Sequence, residues 1–292
     1  MSEIKSLAVI GGGQMGGGIA QIAAGAGIGA IVFDSKATQL ERCKATHEKL
    51  ISRAVEKGRM EQSEADAALS RISYVADMNA IKEADWVVEA IVENAEVKEK
   101  VFAELAHLFQ HRDEVALCSN TSSISITQLA RAAEDTVAGT GKRVIGMHFF
   151  YPVPVMGLVE IIRGLETDES IATRTSALAE KLGKTPLVAN DRAGFVSNRV
   201  LMPMINEAFY ALMEGVAEPK AIDGIMKLGC NFPMGPLELA DFIGLDTCVN
   251  IMDVLAEGLN NERYRACPVL KQYVVAGRLG KKSGAGVYEY GN

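Results

Sequence analysis

Metal-binding cysteine pairs are missing from this chain. Its five cysteines, Cys43, Cys118, Cys230, Cys248 and Cys267, include no Cys-x-x-Cys spacing. An odd number at scattered positions excludes a zinc framework and a disulfide scaffold. It fits free thiols in a reducing compartment, mostly filling core positions. Histidine is scarce, at four residues in 292. There is no excess of basic charge: the formal net charge is -7 and the pI about 5.3. Nucleic acid as the main partner is thereby excluded, because phosphate backbones require a basic surface. A local basic patch for a small anion remains allowed. No apolar run is long enough to span a bilayer, so no membrane association is expected. The start, MSEIKSLAVIGGG, enters a strand pattern at once, without the basic region and apolar stretch of a signal peptide. A cytoplasmic location is expected. Low-complexity segments and internal repeats are absent.

What is present is ordinary core-forming material, 48% hydrophobic and 23% charged, in a length that suggests two domains. Short apolar, β-branched stretches recur at SLAVIGG, GAIVFD, ISYVAD, DWVVEAI, VALCSN, RVIGMHFF, LVEII and TPLVAN, with amphipathic helical stretches between them. That alternation predicts an α/β domain over residues 1–189, a doubly wound and mostly parallel sheet. One connection is long. Residues 38–70 read as a helical pair, turning at Lys57-Gly58 and forming an arm that reaches over a ligand. Beyond about residue 190 the strand signal stops. NRVLMPMINEAFYALMEG, EPKAIDGIMKLG, GPLELADFIGLDTCVNIMDVLAEGL and PVLKQYVVAGRLG read as helical. Gly215, Gly229 and Gly280 are read as helix stops, and Pro203 as a kink. Residues 190–292 are therefore expected to form an all-helical domain. Its apolar surface, with Met202, Met204, Ile205, Phe209 and Met213 close together, predicts a homodimer through this domain. A monomer with ordinary interdomain packing is the alternative.

The densest feature is VIGGGQMGGGIA, with six glycines in twelve residues. A strand precedes Gly11-x-Gly13-x-x-Gly16 and a helix follows. In a dinucleotide fold Gly11 makes the tight turn, Gly13 lets the backbone approach a pyrophosphate, and Gly16 lets helix and strand pack. The pyrophosphate then meets the positive end of the helix. Gln14 and Met15 complete the loop contacts. Gly17 and Gly18 are read as small residues that let the cofactor come close; Gly12 has no assigned role. Asp34 ends the second strand, 18 residues past Gly16. A carboxylate there accepts from ribose hydroxyls and repels a 2′-phosphate, which favours NAD over NADP, although Lys36 nearby softens that preference. A purely structural turn is the competing reading.

Of the histidines, His47, His107 and His111 lie on helical stretches and are read as solvated or at helix ends. His148 instead ends an apolar strand, and Glu160, 12 residues on, is an acid inside another. Pro154 lies midway. A chain that folds back around the prolyl loop sets the two opposite one another, as a general acid/base pair. The same spacing also fits a core histidine with Glu160 solvated at a strand edge.

At this point the chain resembles the L-3-hydroxyacyl-CoA dehydrogenase family, particularly its bacterial short-chain members. The resemblance rests on VIGGGQMGGGIAQ, VVEAIVENAEVK, SNTSSISI, GMHFFYPVPVMGLVEII, GFVSNRV, GPLELADFIGLD and GRLGKKSGAGVYEY, and covers nearly the whole length. It implies that His148 is the catalytic base and Glu160 its partner. Ser122 would hydrogen-bond the substrate's 3-oxygen and Asn198 support substrate and histidine. Glu93, Lys98 and Asn120 would lie near the cofactor. Read singly, Ser122 or Asn198 equally suits a helix cap. The family's helical arm binds CoA, which gives Arg53 and Lys57, four apart, a role with the CoA phosphates; a solvated charged face is the alternative. Tyr151 stands where the family usually has asparagine, so an asparagine contact is not expected there.

The resemblance implies an NAD-dependent oxidoreductase that interconverts (S)-3-hydroxyacyl-CoA and 3-oxoacyl-CoA, with 3-hydroxybutyryl-CoA expected. No hydratase domain is expected in this length, so a monofunctional enzyme is expected. A dehydrogenase of a free hydroxy acid and a non-catalytic NAD-binding protein are the competing functions. No metal is expected.

Overall fold

In the computed structural model, which describes residues 4–291, the chain divides into one unit ending at Asp191 and another beginning at Arg192. Among the described residues, no helix is long and apolar enough to cross a membrane, and no group of three or more His, Cys, Asp or Glu is placed to hold a metal.

The first unit is an eight-stranded sheet: β1 Ser6–Ile10, β2 Gly29–Phe33, β3 Ile72–Val75, β4 Trp86–Glu89, β5 Ala116–Ser119, β6 Val144–Phe149, β7 Leu158–Arg163 and β8 Thr185–Asn190. Every strand falls on one of the predicted apolar stretches. The spatial order is β3-β2-β1-β4-β5-β6-β7-β8. All pairings are parallel except β6–β7. The first six strands thus form a doubly wound dinucleotide sheet, whose ligand edge lies beyond the carboxyl ends of the strands. Strands β1, β4, β5 and β6 are buried along nearly their whole length, as crossover helices require. Those helices are α1 Gln14–Gly25, α2 Ala37–Glu56, α3 Gln62–Ser70, α4 Ala95–Leu108, α5 Ile126–Thr136 and α6 Glu169–Lys181. The predicted arm is α2 and α3. Gly58, at φ +63, lies just past the end of α2.

His47 departs from its sequence reading. It is buried on α2, not solvated. Nδ1 lies 2.7 Å from the Tyr74 hydroxyl and Nε2 2.7 Å from the Gly17 carbonyl oxygen. The ring joins the arm to α1, an interhelical contact that helix periodicity alone does not show. Burial holds its pKa below the ordinary value, and the Gly17 carbonyl offsets that only in part. The sign follows. Above pH 6.5 both folded and unfolded chains keep this ring neutral. As pH falls through 6.5 the unfolded chain takes up a proton that the fold resists, so stability is lost. One such proton gives a slope of up to about 1.4 kcal/mol per pH unit. Urea unfolding at pH 7.5 and 5.5 is expected to show a smaller acid loss in His47→Gln than in the parent; equal losses would remove His47 as the cause.

The second unit is helical: α7 Ser197–Met213, α8 Pro219–Gly229, α9 Pro236–Ile243, α10 Leu245–Gly258 and α11 Pro268–Val275. Met202, Ile205, Phe209, Leu237, Leu245, Met252, Leu255 and Leu270 form its core. Pro203 lies inside α7. Gly215 stops α7 at φ +70, as expected. α8 ends at Gly229, also as expected, with Asn231 in the left-handed conformation beyond it. The third stop needs correction. Gly277, at φ +73, follows α11, while Gly280 serves another purpose. A Cβ on Gly280 would lie 2.3 Å from the Asp241 carbonyl oxygen, so only glycine lets the chain pass there. The buried Asp241 carboxylate accepts N–H bonds from Val287 and Tyr288 and a hydroxyl from Tyr290, tying down the C-terminal segment. Gly244, at φ +104, separates α9 from α10 within a stretch that reads as continuously helical.

Candidate active site

The glycine turn follows β1. Gly11 adopts φ +106, and a Cβ there would lie 2.7 Å from the Ala90 carbonyl oxygen. Gly16 fits against the turn so closely that a Cβ would fall 1.9 Å from the Gly11 oxygen. Gly13 is the N-cap of α1, which has no side-chain cap, and a Cβ on it would meet nothing within 4 Å. An uncapped helix N-terminus under open space is an anion cradle. Gly12, unassigned from sequence, pins the turn: its N–H donates to Asp34 Oδ2 at 2.9 Å and its carbonyl accepts from Gln39 at 2.8 Å. Asp34 Oδ1 also accepts from the Lys36 N–H. Gly11, Gly13, Gln14, Met15, Asp34 and Lys36 border a cleft of about 730 Å³, with Ile91, Val92 and Val97 on its apolar side. Cradle, acid and apolar wall fit an adenine dinucleotide.

Gly17 and Gly18 require correction. A Cβ on Gly17 would lie 3.2 Å from Cys43 Sγ, and one on Gly18 would lie 2.7 Å from Val153. Their smallness lets α2 and the prolyl loop approach α1. They border a second cleft with Gln39, Arg42, His47, Leu50 and Tyr151. Arg53 and Lys57 are exposed at the far end of α2 and line neither cleft; Arg42 is the cation that lines the second.

The antiparallel β6–β7 pairing sets His148 directly opposite Glu160. Nδ1 and Oε2 are 2.7 Å apart, with His148 7% and Glu160 4% exposed. Glu160 is therefore not a solvated edge residue: β7 lies between β6 and β8. A carboxylate only accepts, so Nδ1 carries the proton and Nε2 is the basic nitrogen of the neutral ring. Phe150 packs on the imidazole, ring centroids 4.6 Å apart. The turn between the strands is held by Lys184, whose Nζ donates to the Val153 and Met156 carbonyls at 2.6 and 2.8 Å. Burial lowers that lysine's pKa.

Asn120, Thr121 and Ser122 follow β5. Asn120 Oδ1 accepts the Phe149 N–H at 2.9 Å, joining the ends of β5 and β6 beside His148. Ser122 is not a helix cap: Ser125 caps α5, accepting from the Gln128 N–H. Its N–H and hydroxyl instead meet Glu93 Oε1 at 2.9 and 3.3 Å, and Thr121 Oγ1 meets the same oxygen at 2.6 Å. Burial would raise the Glu93 carboxyl, but the Lys98 ammonium and the Thr121, Ser122 and Ser123 donors outweigh it and hold its pKa low. Lys98, buried in the first turn of α4, pairs with Glu93 at 3.4 Å and with Glu89 at 2.6 Å. Glu89 was missed from sequence, although an acid in the apolar stretch WVVEAI is the signal that singles out Glu160. In the second unit, Asn198 is buried in the first turn of α7, whose N-cap is Val196, so Asn198 is not the cap.

A dinucleotide sheet carrying a buried histidine–carboxylate pair near its ligand edge defines a nicotinamide-linked alcohol dehydrogenase. Comparison with known families narrows the class. The sequence model described as "3-hydroxyacyl-CoA dehydrogenase, NAD binding domain" matches residues 6–192, and that described as "3-hydroxyacyl-CoA dehydrogenase, C-terminal domain" matches residues 194–290. A probable 3-hydroxybutyryl-CoA dehydrogenase of Deinococcus radiodurans is 53% identical over 97% of this chain and 99% of its own. The 3-hydroxybutyryl-CoA dehydrogenase of Bradyrhizobium diazoefficiens is 47% identical, covering 98% and 96%. The crystal structure of (S)-3-hydroxybutyryl-CoA dehydrogenase from Ralstonia eutropha superposes with a TM-score of 0.93 at 41% identity, covering 99% of this chain and all of that one. The chain belongs to the 3-hydroxyacyl-CoA dehydrogenase family, and its first unit is the family's NAD-binding domain.

Proposed function

We propose that this protein interconverts (S)-3-hydroxybutyryl-CoA and acetoacetyl-CoA. The observation that carries the reading is the buried His148–Glu160 pair, on the same sheet as the dinucleotide cradle. Bound NAD supplies the hydride acceptor for oxidation of the 3-hydroxyl carbon. The chain supplies the rest. His148 Nε2 takes the hydroxyl proton, and Glu160 stabilises the imidazolium that results; in reduction the same proton returns to the 3-oxygen. Ser122 donates to that oxygen in both its hydroxyl and carbonyl states. Asn198 is a further substrate ligand in this reading. Gly11, Gly13, Gln14, Met15 and Gly16 hold the pyrophosphate and Asp34 the adenine ribose. Glu93, Lys98 and Asn120 border the nicotinamide half, and Arg53 and Lys57 attract the CoA phosphates.

Exposed apolar side chains on the second unit, Val200, Val216, Ile225 and Leu228, the last 91% exposed, support a homodimer formed through that unit. Absence of a membrane-crossing helix among the described residues is compatible with a cytoplasmic enzyme.

The test is steady-state reduction of acetoacetyl-CoA with NADH and NADPH in parallel, with free acetoacetate as second substrate. NADH is expected to give at least about tenfold higher kcat/KM, equivalent to about 1.4 kcal/mol, because Asp34 faces the place of a 2′-phosphate. The CoA ester is expected to exceed the free acid by a wider margin. Faster turnover of the free acid would overturn the substrate assignment, and an inactive protein would overturn the enzyme assignment.

A further inference from the structure

Glu89 is a fully buried acid that the proposed chemistry does not use, with no exposed surface at the end of β4. It lines neither cleft, so it does not touch a ligand there. Its carboxylate is filled by three donors: Lys98 Nζ at 2.6 Å and the Ile91 N–H at 2.7 Å on one oxygen, and Ser119 Oγ at 2.6 Å on the other. Taking a carboxylate and an ammonium out of water is costly, and holding a geometry is one role that such a buried pair can serve.

Both arms of this contact lead to the same short segment. Through one, Ser119 Oγ accepts the Thr121 N–H at 3.2 Å, while the Glu89 carbonyl oxygen accepts the Asn120 N–H at 2.8 Å. Through the other, Lys98 reaches Glu93, whose Oε1 gathers Thr121, Ser122 and Ser123. Residues 119–123 are thus gripped from below by Glu89 and from above by Glu93, with Lys98 between the two carboxylates. Removing the charge at residue 89 leaves Lys98 with Glu93 as its ionic partner. The ammonium, 3.4 Å from Glu93 and 2.6 Å from Glu89, then shifts toward Glu93 and draws that carboxylate off the turn.

We propose that Glu89 is a positioning residue for the reaction, setting the Ser122 hydroxyl through Lys98–Glu93 and through Ser119. The proposal rests on the reading of Ser122 as the group that holds the substrate oxygen. The experiment is a double-mutant cycle of Glu89→Gln and Ser122→Ala, followed by acetoacetyl-CoA reduction with NADH. In the parent, Glu89→Gln is expected to lower kcat about 30-fold, within the coupling seen in shared hydrogen-bond networks. KM for both substrates should stay within about threefold. In the Ser122→Ala background the same change should cost less than about threefold, because the hydroxyl it positions is gone. A full 30-fold loss in both backgrounds, or none in the parent, overturns the proposal. Should Glu89→Gln not fold by circular dichroism, Ser119→Ala takes its place in the cycle, since it cuts one arm and leaves the ion pair. The amides of Ser122 and Ser123 give a readout independent of turnover. Their hydrogen exchange in unliganded protein is expected to quicken about tenfold in the variant, as local opening becomes easier. Unchanged exchange overturns the positioning role even where the substrate assignment itself has failed.

Discussion

His148→Asn is expected to lower kcat for acetoacetyl-CoA reduction about 10³-fold while NADH binding stays within about threefold of the parent. Asparagine fills part of the ring's volume and still donates to Glu160, so the buried carboxylate keeps a partner. What it lacks is a nitrogen that holds and releases a proton. Cofactor binding is spared because the cleft bounded by Gly11, Gly13 and Asp34 does not include His148. Glu160→Gln makes the complementary case: it keeps an acceptor for Nδ1–H and removes the charge opposite the imidazolium. Its kcat is expected to fall about 10²-fold, the low end of the range for proton-transfer groups. Turnover, NADH fluorescence titration and thermal melting together check both variants. Near-parental turnover in His148→Asn would remove the histidine from the mechanism. Lost NADH binding would show that the substitution had disturbed the sheet edge instead.

How much of this site is legible in sequence depends on the kind of contact. The central strands are legible because each is an apolar run that a covered sheet must bury, whereas β8, read from a similar run, is a mostly exposed edge strand. The opposition of His148 and Glu160 is legible because twelve residues around a prolyl loop leave an antiparallel register in which both sit near the same sheet edge. The glycine cradle is legible because strand, glycines, helix and acid occur in order. Contacts between elements far apart in sequence are not. His47 reads as a surface residue of a charged helix until Tyr74 and the Gly17 carbonyl are seen beside it. Gly17 and Gly18 read as cofactor glycines until Cys43 and Val153 are found against them. Gly277 and Gly280 lie three residues apart and both have positive φ, so composition alone does not say which one follows α11. Glu89 was legible in principle, since an acid inside an apolar strand needs a partner wherever it occurs. Its partners, Lys98 and Ser119, come from α4 and β5, and nothing local in the sequence identifies them.

Two glycines of the cradle should separate packing from cofactor contact. Gly16→Ala is expected to reduce NADH affinity at least about hundredfold, equivalent to about 2.7 kcal/mol. The added Cβ would lie 1.9 Å from the Gly11 carbonyl oxygen and 3.1 Å from Val9, so the turn must move away from α1 and takes its N–H groups with it. Such overpacking of backbone on backbone should also lower stability by about 2 kcal/mol. Gly13→Ala differs in kind. Its φ of -71° suits any residue, and its Cβ meets nothing in the unliganded fold. Stability should therefore remain within about 0.5 kcal/mol of the parent, in line with an unstrained substitution away from special contacts. Affinity should still fall about tenfold or more, because the new methyl stands in the space above the helix N-terminus where a pyrophosphate approaches. Urea unfolding of the unliganded proteins and NADH titration of the same samples give the two numbers for each variant. A Gly13→Ala protein that binds NADH like the parent would place the pyrophosphate elsewhere. A Gly16→Ala protein of unchanged stability would mean that the turn relaxes without cost, and its loss of affinity would then have to come from direct contact.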